Sequence, residues 1–84
     1  MEPVRIHLLL FALYRDLAGA SELLLEVPRG ATAALAVERL RARGGGLERL
    51  PAAPLVAVNR EFAPLSTPLR DGDELALLPP VSGG

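Results

Sequence analysis

The last six residues, Pro79-Pro80-Val81-Ser82-Gly83-Gly84, are where this chain could do chemistry. Two prolines restrict φ and favour an extended, semi-rigid path away from the body. Two glycines then leave a thread of bare backbone, without Cβ atoms, ending in a carboxylate. Such an end can enter a channel too narrow for any side chain and offer its carboxylate as the reacting group. Many chain ends merely fray. With Gly at about 7% of residues, however, a Gly-Gly end arises by chance in only about one chain in two hundred. The stiff lead-in and the slender end together favour a carrier whose chemistry takes place on its own last atom. The expected organisation is a folded domain over residues 1–78 and an extended tail over 79–84.

Other reactive groups are sparse. There is no cysteine, hence no disulfide framework, thiolate nucleophile or sulfur-based zinc site. His7 is the single histidine and reads as a solvent-facing strand residue. Asp71 and Asp73 flank Gly72, a pattern that makes a turn far more often than a ligand pair. Ser82 has no base in its local sequence. Gly44-Gly45-Gly46 lacks the Lys and Ser/Thr of a phosphate loop and follows a helix instead of a strand. The chain is therefore not expected to be an enzyme alone, to bind a metal, or to hold an intrinsic cofactor. All nine cations are arginine. With no lysine there is no ε-amino group to accept an acyl group, so in acyl chemistry this chain would be the donor. Biased base composition or adaptation to heat accounts for the arginines equally well.

Composition narrows the partners. At 84 residues there is room for one domain and one modest core. Half the residues are apolar and 23% are charged, which argues against disorder. A net charge of −1, with two Phe and one Tyr, gives neither the basic field nor the stacking platform of a nucleic-acid binder. The longest apolar run, Leu8 to Leu13, is too short to span a bilayer, and the first residues lack the features of a signal peptide. A soluble, cytoplasmic protein is expected, with no membrane partner.

What must hold the tail is read from hydrophobic periodicity. Val4 to Phe11 alternates and then becomes continuously apolar, a first strand. Tyr14 to Gly19 is a connection with room for one helical turn ending at Gly19. Glu22 to Val27 is a second strand, closed by Pro28-Arg29-Gly30. Thr32 is an N-cap for a helix over Ala33 to Arg43, whose Ala33, Ala36, Val37 and Leu40 form one apolar stripe. Residues 44–54 read as a long loop. Leu55 to Val58 is a third strand, Asn59-Arg60-Glu61 a turn, and Phe62-Ala63 a very short fourth strand. Asp71-Gly72-Asp73 turns the chain into the last strand, Glu74 to Leu78. Two strands, one helix and two or three further strands fit an α+β fold: one main helix across one face of a mixed four- to five-stranded sheet. That is the β-grasp, or ubiquitin-like, arrangement, with the apolar first and last strands at its centre.

A single short helix covers only one sheet face. Arg5 and His7 mark their side of the first strand as solvent-facing, which puts Leu9 and Phe11 on the uncovered face. Glu74 does the same for Ala76 and Leu78, and Val56 and Val58 pointing inward leave Leu55 and Ala57 outside. Phe62 is placed to join them. These residues are expected to merge into an apolar patch beside the tail and to act as a partner surface, unless the loop from Gly45 to Pro54 folds over it.

The residues also carry a resemblance. Leu10-Phe11-Ala12-Leu13-Tyr14-Arg15-Asp16-Leu17-Ala18-Gly19 is similar to the opening strand and loop of the molybdopterin synthase small subunits. Ala57-Val58-Asn59, then Pro68-Leu69-Arg70-Asp71-Gly72-Asp73-Glu74-Leu75-Ala76, and finally Leu78-Pro79-Pro80-Val81-Ser82-Gly83-Gly84 continue it in order. The D-G-D turn and Gly-Gly end are shared by many sulfur carriers, those of the thiamine pathway included. The front and back motifs in combination are more specific. The resemblance implies a β-grasp sulfur carrier for molybdenum cofactor synthesis. An ATP-dependent adenylating and sulfurating enzyme would activate the carboxyl of Gly84 as a nucleotide-bearing acyl-adenylate and convert it to a thiocarboxylate. The tail would then enter the large synthase subunit, Gly83 giving slender access and Val81 and Ser82 some selectivity, and sulfur would pass to a cyclic pterin precursor. Phe11, Arg15, Phe62 and Leu78, with Pro80, match positions that contact that subunit in a hetero-oligomer. Leucines stand where aromatics often flank the Pro-Pro pair. The residues leave open a carrier for another acceptor (thiamine, a tungsten pterin or a thiolated tRNA base), a ubiquitin-like protein modifier, and a binding module with an inert tail.

Overall fold

The computed structural model describes residues 2–80. Five strands form one mixed sheet in the order β2-β1-β5-β3-β4. The strands are β1 (Val4–Leu10), β2 (Glu22–Val27), β3 (Leu55–Val58), β4 (Glu61–Ala63) and β5 (Glu74–Leu78). β1 and β5 run parallel at the centre, and the other pairs are antiparallel. These are the two most apolar strands, and the central positions give each a hydrogen-bonded neighbour along both edges while one face is buried against the core. This is the β-grasp arrangement that the element order implied.

The core lies between the sheet and α2 (Ala33–Arg41). Ala33, Ala36, Val37 and Leu40 are all fully buried against Ile6, Leu8, Leu75 and Leu77. The Thr32 hydroxyl accepts from the Leu35 backbone N–H at 3.3 Å, so the N-cap stands where the sequence places it. The helix stops two residues short of Arg43. Ala42 caps it, and Arg43 and Gly44 leave in a tighter turn, their N–H groups reaching Leu40 O and Arg41 O.

Two local elements differ from the sequence reading. The connection after β1 is a seven-residue helix, α1 (Ala12–Ala18), instead of a single turn, closed by Gly19 at φ 74° donating to Arg15 O. β1 correspondingly ends at Leu10, and Phe11 becomes the N-cap of α1 while keeping an extended backbone. The long loop contains a 3-10 turn (Leu47–Arg49) that inserts Leu47 and Leu50 into the core. Leu47 and Leu50 thus go to the helix side of the sheet, while Pro51 and Pro54, further along the loop, border Leu55 and Leu78 at the tail end of the opposite face.

The approach of that loop to α1 depends on one glycine. Gly46 sits at φ 108°, and a Cβ there would collide with the Leu17 backbone carbonyl. Gly46→Ala is expected to cost about 3 kcal/mol or more through overlap and backbone strain. In a domain this small, that lowers the melting temperature by roughly 15 °C. Gly45→Ala, with open space around it at φ 67°, pays only the left-handed penalty of about 1 kcal/mol. Thermal unfolding of the two variants side by side checks the distinction.

Candidate functional site

The strand register builds the uncovered face row by row. The first row is polar: His7 lies beside Glu74, and Asn59 donates its N–H to Glu74 O at 2.8 Å. The next row runs Leu9, Ala76, Ala57, Phe62 across β1, β5, β3 and β4. The last row, at the end where β5 leads into the tail, places Leu78 beside Leu55, with extended Phe11 at the level of Leu78 on the other side. Polarity therefore falls steadily toward the tail.

The apolar rows are open to solvent. Phe11 is 45% exposed, Leu55 53% and Phe62 73%, while Leu9 and Leu78 are half-buried by their neighbours. Ala57 and Ala76 belong to this face by alternation, yet they are 7% and 8% exposed. Their methyl groups lie at the floor of a depression whose rim is formed by the larger side chains on either side. The sequence reading assigned the correct face and missed the relief: two alanines at the centre make the patch concave. Leu24, 50% exposed, extends the same face onto β2 beside His7. The Glu22, Leu24, Glu26 alternation carried that signal, but the run of three leucines obscured it.

At the tail end this face passes into a groove of roughly 290 Å³ lined by Tyr14, Pro51, Pro54, Leu55, Leu78 and Pro80. β5 ends at Leu78, and Pro79 and Pro80 follow outside any strand. Val81, Ser82, Gly83 and Gly84, on which the sequence placed the reacting end, lie outside the described residues. Arg15 is on α1, not on the sheet; its side chain is 57% exposed and its Nε stands 3.9 Å from Asp16 Oδ1. A pair so exposed is weak and leaves the guanidinium available at the margin of the patch, one helical turn from Phe11.

The D-G-D segment is structural. Asp71 Oδ1 accepts from the Arg5 N–H at 2.8 Å, and Asp73 accepts from the Arg70 N–H at 2.8 Å and the Asn59 side-chain amide at 3.0 Å. Asn59 Oδ1 in turn accepts from the Glu74 N–H at 3.0 Å. This network ties the β3–β4 hairpin to the start of β5 and so fixes the register of the rows above it. Among the described residues no group of three or more His, Asp or Glu side chains gathers as a metal site would require, and no helix is long and apolar enough to cross a membrane.

Comparison with known proteins decides the family. Residues 8–84 match the ThiS family. The chain belongs to it. The molybdopterin synthase sulfur carrier subunit of Arabidopsis thaliana is 37% identical over 96% of this chain and 84% of its own length. The protein of that name from Haemophilus influenzae is 37% identical over 94% of this chain and 99% of its own. The crystal structure of small archaeal modifier protein 1 from Haloferax volcanii superposes with a TM-score of 0.82 at 31% identity, covering 93% of this chain and 99% of that one. The ubiquitin-like fold and the resemblance read from the motifs thus hold over nearly the whole chain.

Proposed function

We propose that the protein is the sulfur carrier subunit of a molybdopterin synthase, with the Gly84 carboxyl as its reacting group. One observation carries this reading. Relatives 37% identical over nearly all of this chain bear that name, and the family match continues through residue 84. The chemistry is consistent with what the chain contains and lacks. A carboxylate is a poor electrophile. Attack of Gly84 on the α-phosphorus of ATP, in the active site of an activating enzyme, expels pyrophosphate and leaves an acyl-adenylate. A sulfide equivalent then adds to the acyl carbon and expels AMP, giving a thiocarboxylate, a soft sulfur donor. Glycine at 83 and 84 lets the acyl carbon reach catalytic groups that the carrier does not itself possess.

The concave apolar face supplies the docking surface. It borders the root of the tail, so a large synthase subunit seated on Leu55, Phe62, Leu78 and Phe11 receives the tail directly, with Arg15 at the rim for a carboxylate of that partner. Burial of such a patch drives association, and the arginine contributes orientation.

The intact mass of the protein from its own host, with fragmentation of the C-terminal peptide, tests this. A gain equal to replacing one oxygen by sulfur, localised to Gly84, is the expected result. An unmodified carboxylate that persists after incubation with ATP, a sulfur donor and host extract overturns it. The likeness to an archaeal modifier protein favours one second reading, attachment of Gly84 to lysines of other proteins. Conjugates carrying this chain in the host, without the thiocarboxylate, would establish that reading instead.

A further inference from the structure

The sheet has a second association surface that the carrier reading does not use: the free edge of β2. β2 is the outermost strand next to β1. The Leu10 N–H donates to Ser21 O at 2.9 Å, which sets the alternation of the antiparallel ladder: Leu8–Leu23 and Ile6–Leu25 exchange bonds, while Leu9–Glu22, His7–Leu24 and Arg5–Glu26 do not. The N–H and C=O groups of Glu22, Leu24 and Glu26 therefore point away from the sheet. The His7 N–H, turned the other way, donates to Asp73 O at 2.9 Å, as this phase requires. At the middle of the edge the Arg43 guanidinium donates to Leu24 O at 3.0 Å. An outward strand carbonyl is thus met by a long, exposed side chain that can swing aside.

We propose that the β2 edge is a strand-addition site, latched by Arg43, for an extended segment of another protein that places basic residues two positions either side of an apolar one. The side chains facing such a strand select it. Glu22, Leu24 and Glu26 all lie on the uncovered face, so an added antiparallel strand meets them as acidic, apolar, acidic. Opposite charges directly across a strand pair stabilise it and like charges oppose it. A second copy of this chain is disfavoured for that reason: pairing two β2 edges about Leu24 sets Glu22 against Glu26 of the other copy. The Arg5 guanidinium stands 3.5 Å from Glu26 across the β1–β2 pair, but both side chains are more than half exposed, so the pair is weak and the carboxylate stays open to a second cation. The edge lies across the sheet from β4, so a strand added here extends the sheet beyond Leu9 and leaves Leu55, Phe62 and Leu78 uncovered.

The test uses the ¹⁵N-labelled full chain and two synthetic peptides, Ser-Lys-Thr-Val-Thr-Lys-Ser and Ser-Glu-Thr-Val-Thr-Glu-Ser. The lysine peptide is expected to shift the amides of Glu22, Leu24 and Glu26 and to bind about tenfold more tightly than the glutamate peptide, in line with two cross-strand charge pairs. The Glu22→Lys/Glu26→Lys variant, altered only at exposed positions, is expected to reverse that preference. Arg43→Ala, which frees the Leu24 carbonyl, is expected to tighten the lysine peptide by about threefold to tenfold. Equal binding of both peptides, no binding at millimolar concentration, or shifts confined to Leu9 and Phe62 would overturn the proposal. So would concentration-dependent shifts of the β2 amides without peptide, which would mean that a second copy occupies the edge.

Discussion

Adding one alanine after Gly84, or deleting Gly84, is expected to abolish sulfur transfer while leaving the fold intact. The shift moves the acyl carbon by about 3.5 Å along the chain, whereas a misplacement of about 1 Å can already cost two orders of magnitude in rate. Loss of at least a thousandfold, about 4 kcal/mol of barrier, is the result to look for. Neither change touches the core, which is closed by residues between Val4 and Leu77, so the melting temperature should stay within a degree or two of the parent. A single-turnover assay with the activating enzyme and the large subunit, run beside thermal unfolding, separates the two effects. Sulfur transfer at the parent rate from an extended tail would show that the reacting group is elsewhere. Gly83→Val is a graded version, because a β-branched side chain adds width without moving the carboxyl.

How much of this was legible in the sequence depended on whether an element buries a periodic stripe. α2 was legible because Ala33, Ala36, Val37 and Leu40 repeat at helical spacing and Thr32 caps them. The central pair β1 and β5 was legible because both strands are apolar almost throughout. α1 was underestimated because Tyr14 is its one buried residue while Leu13 is 60% exposed; the short helix is held by Gly19 and by its neighbours, with no amphipathic pattern of its own. The turn at Leu47–Arg49 was hidden for a similar reason, since two buried leucines spaced by three, between a glycine triplet and a proline, do not define an element. On the candidate surface, alternation identified the correct face in β1, β3 and β5. It could not report that Ala57 and Ala76 fall side by side, because that contact is set by the antiparallel register of β3 on β5, fixed in part by the Asn59–Asp73 network. Concavity is a property of neighbouring strands, and a single strand's pattern carries no trace of it.

That concavity makes the second large effect specific. Leu55→Arg or Phe62→Arg is expected to destroy binding to the large synthase subunit without unfolding the domain. Both side chains are more than half exposed, so removing them from the free protein should cost within about 0.5 kcal/mol. On the proposed docking face each flanks Ala57 and Ala76, where an apolar group of the partner is expected to enter and exclude water. An arginine there loses the burial of the parent side chain and adds a charge with no counter-charge on the surrounding apolar rows. An unpaired buried charge costs about 3–5 kcal/mol, which weakens a micromolar complex by roughly two to four orders of magnitude. Leu78→Arg should match this loss but also lower the melting temperature slightly, because Leu78 is half-buried between Leu55 and Phe11. Phe11→Arg belongs with it, since Phe11 also caps α1. Arg15→Ala should act differently: a rim charge mainly changes the association rate and its salt dependence, so its deficit should shrink as ionic strength rises while those of the sheet variants persist. Titration calorimetry against the large subunit at low and high salt distinguishes the classes. Parent-like affinity in both Leu55→Arg and Phe62→Arg would mean that the concave face is not where the partner sits, whatever the tail does.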